Sequence, residues 1–417
     1  METPTSLTAP RTPGAPEPVP GPPASAPAWR QLALIFAART TLNTAHRIVY
    51  PFLPALARGL NLSLAAASRL VTVRFVAGLA APFLGPWIDR HPRRHTMELA
   101  MGLFVLAGLL LAAGGLWAAA AVAAFALFGL SKVMYDPAVH AYVGDTVPYH
   151  RRGRAIGVIE FSWSSAWLLG VPAAGLLIER YGWQAPWLCL AALGLLALGL
   201  THAGVSPIRP VAPPGQEQPL VRRLLGQWRD LLRQPQVVAL LLTSLLLTLA
   251  SELPLIVYGA WLEDAFGLGL STLGLASLVV GLAEASAEVS TTVLTDRLGK
   301  KRSVLGGLLA LGGSLALLPL LAGTGLAGAL AGVVLMTLSF EFAIVSLLPL
   351  ATELAPGARG SLLSLNMTTF SLGRIAGATA GGWLWQTSGG TIAANALAGA
   401  ACALLAALVV AVGWSEL

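Results

Sequence analysis

Charged residues are scarce in this chain. Asp, Glu, Lys and Arg make up 11% of its 417 residues, against roughly 25% in an ordinary soluble domain. Hydrophobic residues reach 56%, and they cluster in stretches of about 20 residues, long enough for a helix to cross ~30 Å of hydrocarbon. This composition excludes a soluble globular protein and predicts an integral membrane protein.

Cysteine and catalytic motifs are equally scarce. The two cysteines, Cys189 and Cys402, lie in separate apolar stretches without a local partner, so neither a disulfide framework nor a metal site is predicted. A Walker loop, metal-ligand spacing and a nucleophile motif are all missing, so we expect no enzyme, no cofactor and no metal. Because no basic stripe is interleaved with aromatic residues, we also expect no nucleic-acid partner.

The apolar stretches form two sets of six, numbered here as spans 1 to 12. They fall at about 31–57, 67–88, 97–114, 117–144, 154–178 and 184–203, and then at about 236–262, 271–295, 303–321, 326–352, 360–385 and 390–413. Residues 1–29 hold nine of the 28 prolines and no apolar run, which predicts a disordered tail. One bundle of six helices is predicted over 30–203 and a second over 236–417. Between them, 204–235 is rich in Pro and Arg, which predicts a linker with a membrane-surface helix. The predicted fold is therefore all-α, with twelve transmembrane helices in two six-helix bundles.

Basic residues indicate the orientation of these helices, because Lys and Arg near span ends are retained in the cytoplasm. An even number of spans places both termini on one side. That side would hold 18 of the 26 Lys and Arg residues, whereas the opposite loops hold only Arg58 and Arg180. We therefore expect a multi-pass protein of the cell (plasma) membrane with both termini in the cytoplasm.

A charged signature occurs twice in the chain. Its first copy is Asp89-Arg90-His91-Pro92-Arg93-Arg94, and its second, 207 residues later, is Asp296-Arg297-Leu298-Gly299-Lys300-Lys301. A second charged loop follows each copy, with Asp145 and Arg151 in the first half and Glu353 and Arg359 in the second. This duplication predicts two pseudo-symmetric bundles whose equivalent loops face the same side of the membrane.

Over about residues 30–413 the chain resembles the major facilitator superfamily, whose signature is a small residue, Asp-Arg, Gly and a basic pair. Pro92 replaces that Gly in the first copy, and Gly299 matches it in the second. The resemblance implies transport by alternating access, with spans 1, 4, 7 and 10 lining the central cavity. Gly170, Pro172 and Gly175 on span 5 resemble the family's antiporter motif, although they lack its contiguous Gly-Pro and double Gly.

The resemblance also implies a cytoplasmic latch that stabilises the outward-facing state. Its residues would be Asp89, Arg90, Arg93, Arg94, Asp145, Arg151, Asp296, Arg297, Lys300, Lys301, Glu353 and Arg359. Asp145 would pair with Arg93 or Arg94, and Glu353 with Lys301 or Arg302. Asp89 and Asp296 would meet the N-termini of spans 11 and 5 of the opposite bundle. A row of small residues on span 11, Gly373, Gly377 and Gly381, is expected where the bundles pack closely.

Ionisable residues also occur inside the predicted spans, where each would cost about 2.5–3.5 kcal/mol at a lipid-exposed helix centre. They must therefore face protein or water. We predict a substrate cavity formed by Arg39, Asn43, Arg47, Tyr50, Lys132, Asp136, Glu160, Trp163, Glu252, Tyr258, Glu341 and Asn366. Arg39, Asn43, His46, Arg47 and Tyr50 share one side of span 1 and form a polar stripe. For this stripe and for Trp163, packing between helices is the alternative to substrate contact. For Lys132 and Asp136, a structural ion pair is the alternative.

Two acids on span 8 indicate proton coupling. Glu284 and Glu288 are four residues apart, and neighbouring carboxylates in a low dielectric favour holding a proton. The proton-coupling candidates are Glu284, Glu288, Glu252, Glu341 and Arg374. In the alternative, Arg374 neutralises one acid of span 8 and leaves no exchangeable proton.

These patterns predict a secondary transporter of a small organic solute, with export in exchange for protons as the first choice. A symporter or uniporter for a sugar, a carboxylate or another anionic metabolite is the alternative, and the cationic bias of the first bundle favours an anion. A non-transporting membrane sensor or scaffold is the alternative of another class. The expected partners are a small-molecule substrate, protons and the lipid bilayer, and we expect a monomer.

Overall fold

A computed structural model describes residues 29–113, 118–208, 220–355 and 358–414. The tail predicted before residue 29 and much of the predicted linker lie outside these ranges. Within them, nothing is described for some side chains, namely those of residues 85, 86, 89, 118, 220–223, 292–297, 351, 352 and 359.

The first bundle contains six helical spans. Span 1 comprises α1 (Trp29–Arg47) and α2 (Val49–Gly59). Span 2 comprises α3 (Leu64–Val76), a 3-10 turn (Ala77–Ala80) and α4 (Ala81–Arg90). Spans 3 and 4 are α5 (Arg93–Ala112) and α6 (Ala118–Thr146). Span 5 comprises α7 (Tyr149–Glu160), α8 (Ser162–Ser165), a π turn (Ala166–Gly170) and α9 (Val171–Tyr181), and span 6 is α10 (Ala185–Gly204).

The second bundle repeats this order after one further helix, α11 (Leu220–Leu232). Span 7 comprises α12 (Pro235–Leu255) and α13 (Tyr258–Phe266). Span 8 comprises α14 (Leu270–Ala276) and α15 (Leu278–Leu298). Spans 9 to 12 are α16 (Lys300–Ala322), α17 (Leu326–Glu353), α18 (Arg359–Thr387) and α19 (Ile392–Gly413). The predicted all-α fold of twelve spans in two bundles is confirmed.

Ten of these spans are long and apolar enough to cross a membrane, judged over the described ranges. Spans 1 and 11 fall short because they hold several polar residues, among them Arg39 and Arg47 on span 1 and Asn366 and Arg374 on span 11. Their polarity is compatible with a membrane because these side chains turn away from lipid, as Arg39 does with 2% of its surface exposed.

Spans 1 and 7 are each broken beside a proline. Pro51 has no N–H to donate to the Arg47 carbonyl, and span 1 is interrupted there, with Phe52 at φ −107° and ψ 17°. Pro254 likewise has no N–H for the backbone hydrogen bond of a regular helix. Span 7 is interrupted shortly after it, before α13, with Val257 at φ −102° and ψ 4°. The two breaks lie about half a chain length apart, so they belong to the structural repeat.

The two bundles pack closely on one side of the molecule. We call the side where α1 begins and α19 ends the terminal side, and the opposite one the far side. On the far side, a Cβ added to Gly259 of span 7 would lie 2.0 Å from the Pro51 carbonyl oxygen of span 1. Likewise, a Cβ on Gly274 of span 8 would lie 3.1 Å from Pro172 Cα of span 5. The far side is therefore closed between the bundles.

The small residues of span 11 lie elsewhere than expected. Gly373, Gly377 and Gly381 face span 7, where added Cβ atoms would approach Thr248, Glu252 and Ile256 within 2.1–2.6 Å. Since spans 7 and 11 belong to the same bundle, the row of glycines packs that bundle internally. The expectation that it lies between the bundles was wrong, because helical spacing identifies a face of a helix but not the partner of that face.

Candidate functional site

A buried cluster centred on Arg39 joins spans 1, 4 and 5. Its guanidinium donates from Nε to Asp136 Oδ1 at 2.9 Å and from Nη2 to Glu160 Oε2 at 3.1 Å. Nη1 donates to the Ile159 carbonyl at 2.8 Å and to Ser162 Oγ at 3.2 Å. All three spans lie in the first bundle, so Arg39 holds that bundle together rather than linking it to the second.

Lys132 and His140 extend this cluster along span 4. Lys132 Nζ pairs with Asp136 Oδ2 at 2.8 Å, donates to Asn43 and lies 3.8 Å from the ring centre of Trp163. His140 Nε2 lies 2.8 Å from Glu160 Oε1. The side chains of His140 and Glu160 are 44% and 36% exposed, so this end of the cluster is not fully enclosed by protein.

Arg47 links the two bundles near the middle of the molecule. Its Nη2 donates to Glu284 Oε1 of span 8, and its guanidinium lies 4.6 Å from the ring centre of Trp163 and 5.3 Å from that of Trp167. The π turn Ala166–Gly170 contains Trp167. Pro172, which follows that turn, has no N–H for the Leu168 carbonyl, and a wider turn accommodates this loss.

Two further acids lie near the Arg47–Glu284 pair. Glu288 is one turn beyond Glu284 on span 8, and Glu341 of span 10 lies within electrostatic reach of both. Neither Glu288 nor Glu341 forms an ion pair with any side chain that the structure describes. Three carboxyl groups therefore lie near Arg47 at the interface between the bundles, and Arg374 is also within electrostatic reach of Glu284 and Glu341.

Glu252 forms a second link between the bundles. This fully buried residue of span 7 accepts from Arg374 Nη1 of span 11 at 3.1 Å and from the Tyr50 hydroxyl of span 1 at 3.2 Å. The alternative in which Arg374 pairs with Glu284 or Glu288 was wrong. Side-chain reach explains this result, because spans 7 and 11 pack against each other directly.

Two predicted cavity residues lie in packed surroundings. Asn366 is buried within the second bundle, where its Oδ1 accepts from Ser244 Oγ at 2.6 Å. Tyr258 begins α13 and is 2% exposed at the closed far side. Neither contacts the Arg39, Arg47 or Glu252 groups through a hydrogen bond that the structure describes.

The described latch residues pair within a bundle. Asp145 accepts from Arg93 Nε at 3.1 Å, whereas Arg94 pairs with Glu98. Glu353 pairs with Lys300 and not with Lys301 or Arg302, since Lys301 donates to the Trp414 carbonyl. Arg90 and Arg151 are exposed. Four latch candidates have side chains outside the described part of the structure: Asp89, Asp296, Arg297 and Arg359.

Sequence patterns alone did not single out several residues. His140 carries a usable signal, because it lies four residues after Asp136 on the same helix face. Ser162, which accepts from both Arg39 and Asn43, carries none. The Arg58–Glu263 pair, with Nη1 2.7 Å from Oε1, joins the bundles on the far side, and only the folded chain brings these residues together.

Two repeated six-span halves with ionisable groups at their interface resemble the organisation of secondary transporters. Among the described residues, no group of three or more His, Cys, Asp or Glu side chains is arranged to hold a metal ion. The family model of the Major Facilitator Superfamily matches residues 34–378 and 240–416. The chain therefore belongs to this superfamily.

Individual relatives are distant. The chain is 24% identical to the uncharacterized MFS-type transporter YceJ of Bacillus subtilis (strain 168) over 357 residues, covering 85% of this chain and 89% of that protein. It is 29% identical to Multidrug resistance protein 2 of the same organism over 153 residues, covering 36% and 37%. The crystal structure of a D-xylose-proton symporter matches with a TM-score of 0.71 and 17% identity over 92% of this chain and 97% of that chain. This last likeness shows the fold alone.

Proposed function

We propose that this transporter exports a small organic solute in exchange for protons. The observation that supports this proposal is the group of three carboxyls, Glu284, Glu288 and Glu341, around Arg47 at the interface between the bundles. Arg47 and Arg374 lie within electrostatic reach of these acids, but Arg374 is already paired with Glu252. Neighbouring carboxylates in a low dielectric repel one another, so such a group favours holding a proton. Proton binding and release can then alternate with the accessible side.

The Arg47–Glu284 pair connects this proton to conformational change. A neutral Glu284 would attract Arg47 far less than a charged one does. Since Arg47 belongs to the first bundle and Glu284 to the second, protonation would loosen the contact between them. The closed far side and the partly exposed Glu160 and His140 on the terminal side are consistent with one end state of such a cycle.

Export is the proposed direction. The chain is similar over about a third of its length to Multidrug resistance protein 2, and the span 5 residues Gly170, Pro172 and Gly175 support the same direction.

The distribution of Lys and Arg supports a plasma-membrane protein with cytoplasmic termini. The latch would then operate on the cytoplasmic side and a monomer would suffice for transport, because one chain supplies both bundles.

Solute-driven proton movement tests this proposal. A thermal-shift screen of the purified full chain against a diverse solute library identifies ligands, because binding to the folded state raises Tm. Each hit is then added outside proteoliposomes that contain a pH-sensitive dye. Antiport makes the lumen alkaline as solute enters, symport makes it acidic, and uniport leaves its pH unchanged. An acidic or unchanged lumen would contradict the proposed exchange.

Two substitutions identify the proton-binding group. Glu288→Gln and Glu341→Gln should each abolish the solute-driven pH change while the solute still raises Tm, because only the exchangeable proton is removed. Glu179→Gln, at an exposed acid of span 5, is the matched control and should behave like the wild type. Wild-type proton movement in both Gln variants would refute a role for Glu288 and Glu341 in proton exchange.

A further inference from the structure

Arg74 of span 2 is a buried cation with one described hydrogen bond. It is 3% exposed, and its Nη1 donates to the His46 carbonyl of span 1 at 2.7 Å. Its Nε is buried and has no hydrogen-bond partner. Arg74 forms no ion pair with any carboxylate that the structure describes, although burying an uncompensated charge is costly.

Five other basic residues lie deep within the predicted spans, and they differ from Arg74 in this respect. Four of them each pair with at least one carboxylate: Arg39, Arg47, Lys132 and Arg374. The remaining one, Arg69, is exposed on the same helix as Arg74. The hydrogen bond to the His46 carbonyl of span 1 requires a donor group but not a positive charge. Among the described residues, Glu252 lies within electrostatic reach of Arg74, but no ion pair matches its charge.

Arg374 provides a second guanidinium from the opposite bundle. The guanidinium carbons of Arg74 and Arg374 lie 4.6 Å and 5.7 Å from the ring centre of Phe75. The Tyr50 ring lies 5.0 Å from Arg74. Arg374 is one-quarter exposed and donates one nitrogen to Glu252. Arg374 thus has Glu252 and Glu341 within electrostatic reach, whereas Arg74 lies beside the Phe75 and Tyr50 rings and forms no ion pair with a described carboxylate.

We propose that Arg74 and Arg374 bind the acidic head group of the solute, which is an organic anion with an apolar or aromatic body. A carboxylate or phosphate accepts two parallel hydrogen bonds from a guanidinium, and Phe75 and Tyr50 offer apolar surface to the body. Because the two cations come from opposite bundles, the bound anion contacts both halves. This proposal names the solute class and rests on the proposed transport function.

Ligand-induced thermal shifts of the full chain in detergent test the solute class. The acidic probes are 4-phenylbutyrate, phenyl phosphate and lysophosphatidate, and the matched neutral and cationic probes are 4-phenylbutanamide and 4-phenylbutylamine. We expect at least one acidic probe to raise Tm and the two matched probes to have no effect. A shift from lysophosphatidate alone identifies a lipid head group, and a shift from the soluble acids identifies a free metabolite. If no acidic probe shifts Tm, the proposal is overturned.

Substitutions at Arg74 test the site. Arg74→Gln retains a donor for the His46 carbonyl but lacks the charge, and it should weaken binding of the acidic probe by at least about tenfold. Arg74→Lys retains the positive charge but lacks the planar guanidinium that can donate two parallel hydrogen bonds, so it should bind the acidic probe with intermediate affinity. It also provides the test if the Gln variant does not fold. Arg69→Gln, the control on the same helix, should bind like the wild type. Unchanged affinity in the Arg74 variants would overturn the proposal.

These results are separable from those on transport. If acidic probes bind through Arg74 but drive no proton movement in proteoliposomes, the site stands and the proposed exchange fails. If a neutral or cationic solute drives proton exchange and no acidic probe binds, the exchange stands and the anion site fails.

Discussion

Arg47 of span 1 pairs with Glu284 of span 8, and this contact connects the two halves of the chain across the protein interior. Both side chains are largely buried, so the attraction between them is weakly screened. Tyr50, one turn further along span 1, contacts Glu252 of span 7. Span 1 therefore provides two of the polar contacts between the bundles.

The first prediction concerns the energy of this pair. Arg47→Gln alone should reduce the free energy of unfolding by about 3 kcal/mol, because it leaves the buried Glu284 without a cation. Arg47→Gln combined with Glu284→Gln should recover most of that loss. Titration with SDS in mixed micelles, performed on both single variants and the double variant, measures the coupling. Additive losses would show that the two residues act independently.

The second prediction concerns Arg39, which accounts for much of the polar bonding within the first bundle. Arg39→Met should cost about 3–5 kcal/mol of unfolding free energy, since Asp136 and Glu160 each lose a buried partner. The matched substitution at an exposed arginine, Arg69→Met, should change stability by less than about 0.5 kcal/mol. The same SDS titration compares the two, and equal losses would argue against a structural role for Arg39.

The third prediction uses the close contact on the far side. Gly259→Ala introduces a Cβ that would lie 2.0 Å from the backbone oxygen of Pro51, so the bundles can no longer approach fully. A cysteine introduced at Ala55, which is buried in α2, should then react faster with a membrane-impermeant maleimide. Gly269→Ala, where an added Cβ meets open space, is the control. Equal labelling rates in the two variants would contradict a closed far side.

The fourth prediction concerns Arg58 and Glu263. The Arg58 side chain is 58% exposed, so Arg58→Ala should change stability by less than about 1 kcal/mol. Cysteines at both positions, joined by a short bifunctional maleimide, should hold the far side closed and stop transport. The single-cysteine variants, treated identically in a background without Cys189 and Cys402, should transport normally. Full transport by the cross-linked protein would show that the far side need not open there.

The repeat was readable from local patterns in the sequence. Apolar stretches of bilayer length and the duplicated Asp-Arg signatures identified two six-helix halves, because both depend on order along the chain. The polar stripe of span 1 was also readable from helical spacing, since Arg39, Asn43 and Arg47 recur with the helix period. The buried or partly buried positions of these residues agree with the insertion cost of exposing them to lipid.

Pairing partners were decided by the tertiary structure. The sequence allowed Arg374 to reach an acid of span 8, but the packing of spans 7 and 11 gives it Glu252. Nor does any local pattern distinguish Arg74, which forms no ion pair with a carboxylate that the structure describes, from Arg47, which pairs with Glu284. Helix periodicity determines which face a residue occupies, whereas the choice among several oppositely charged partners depends on distances of a few ångströms between helices far apart in the chain.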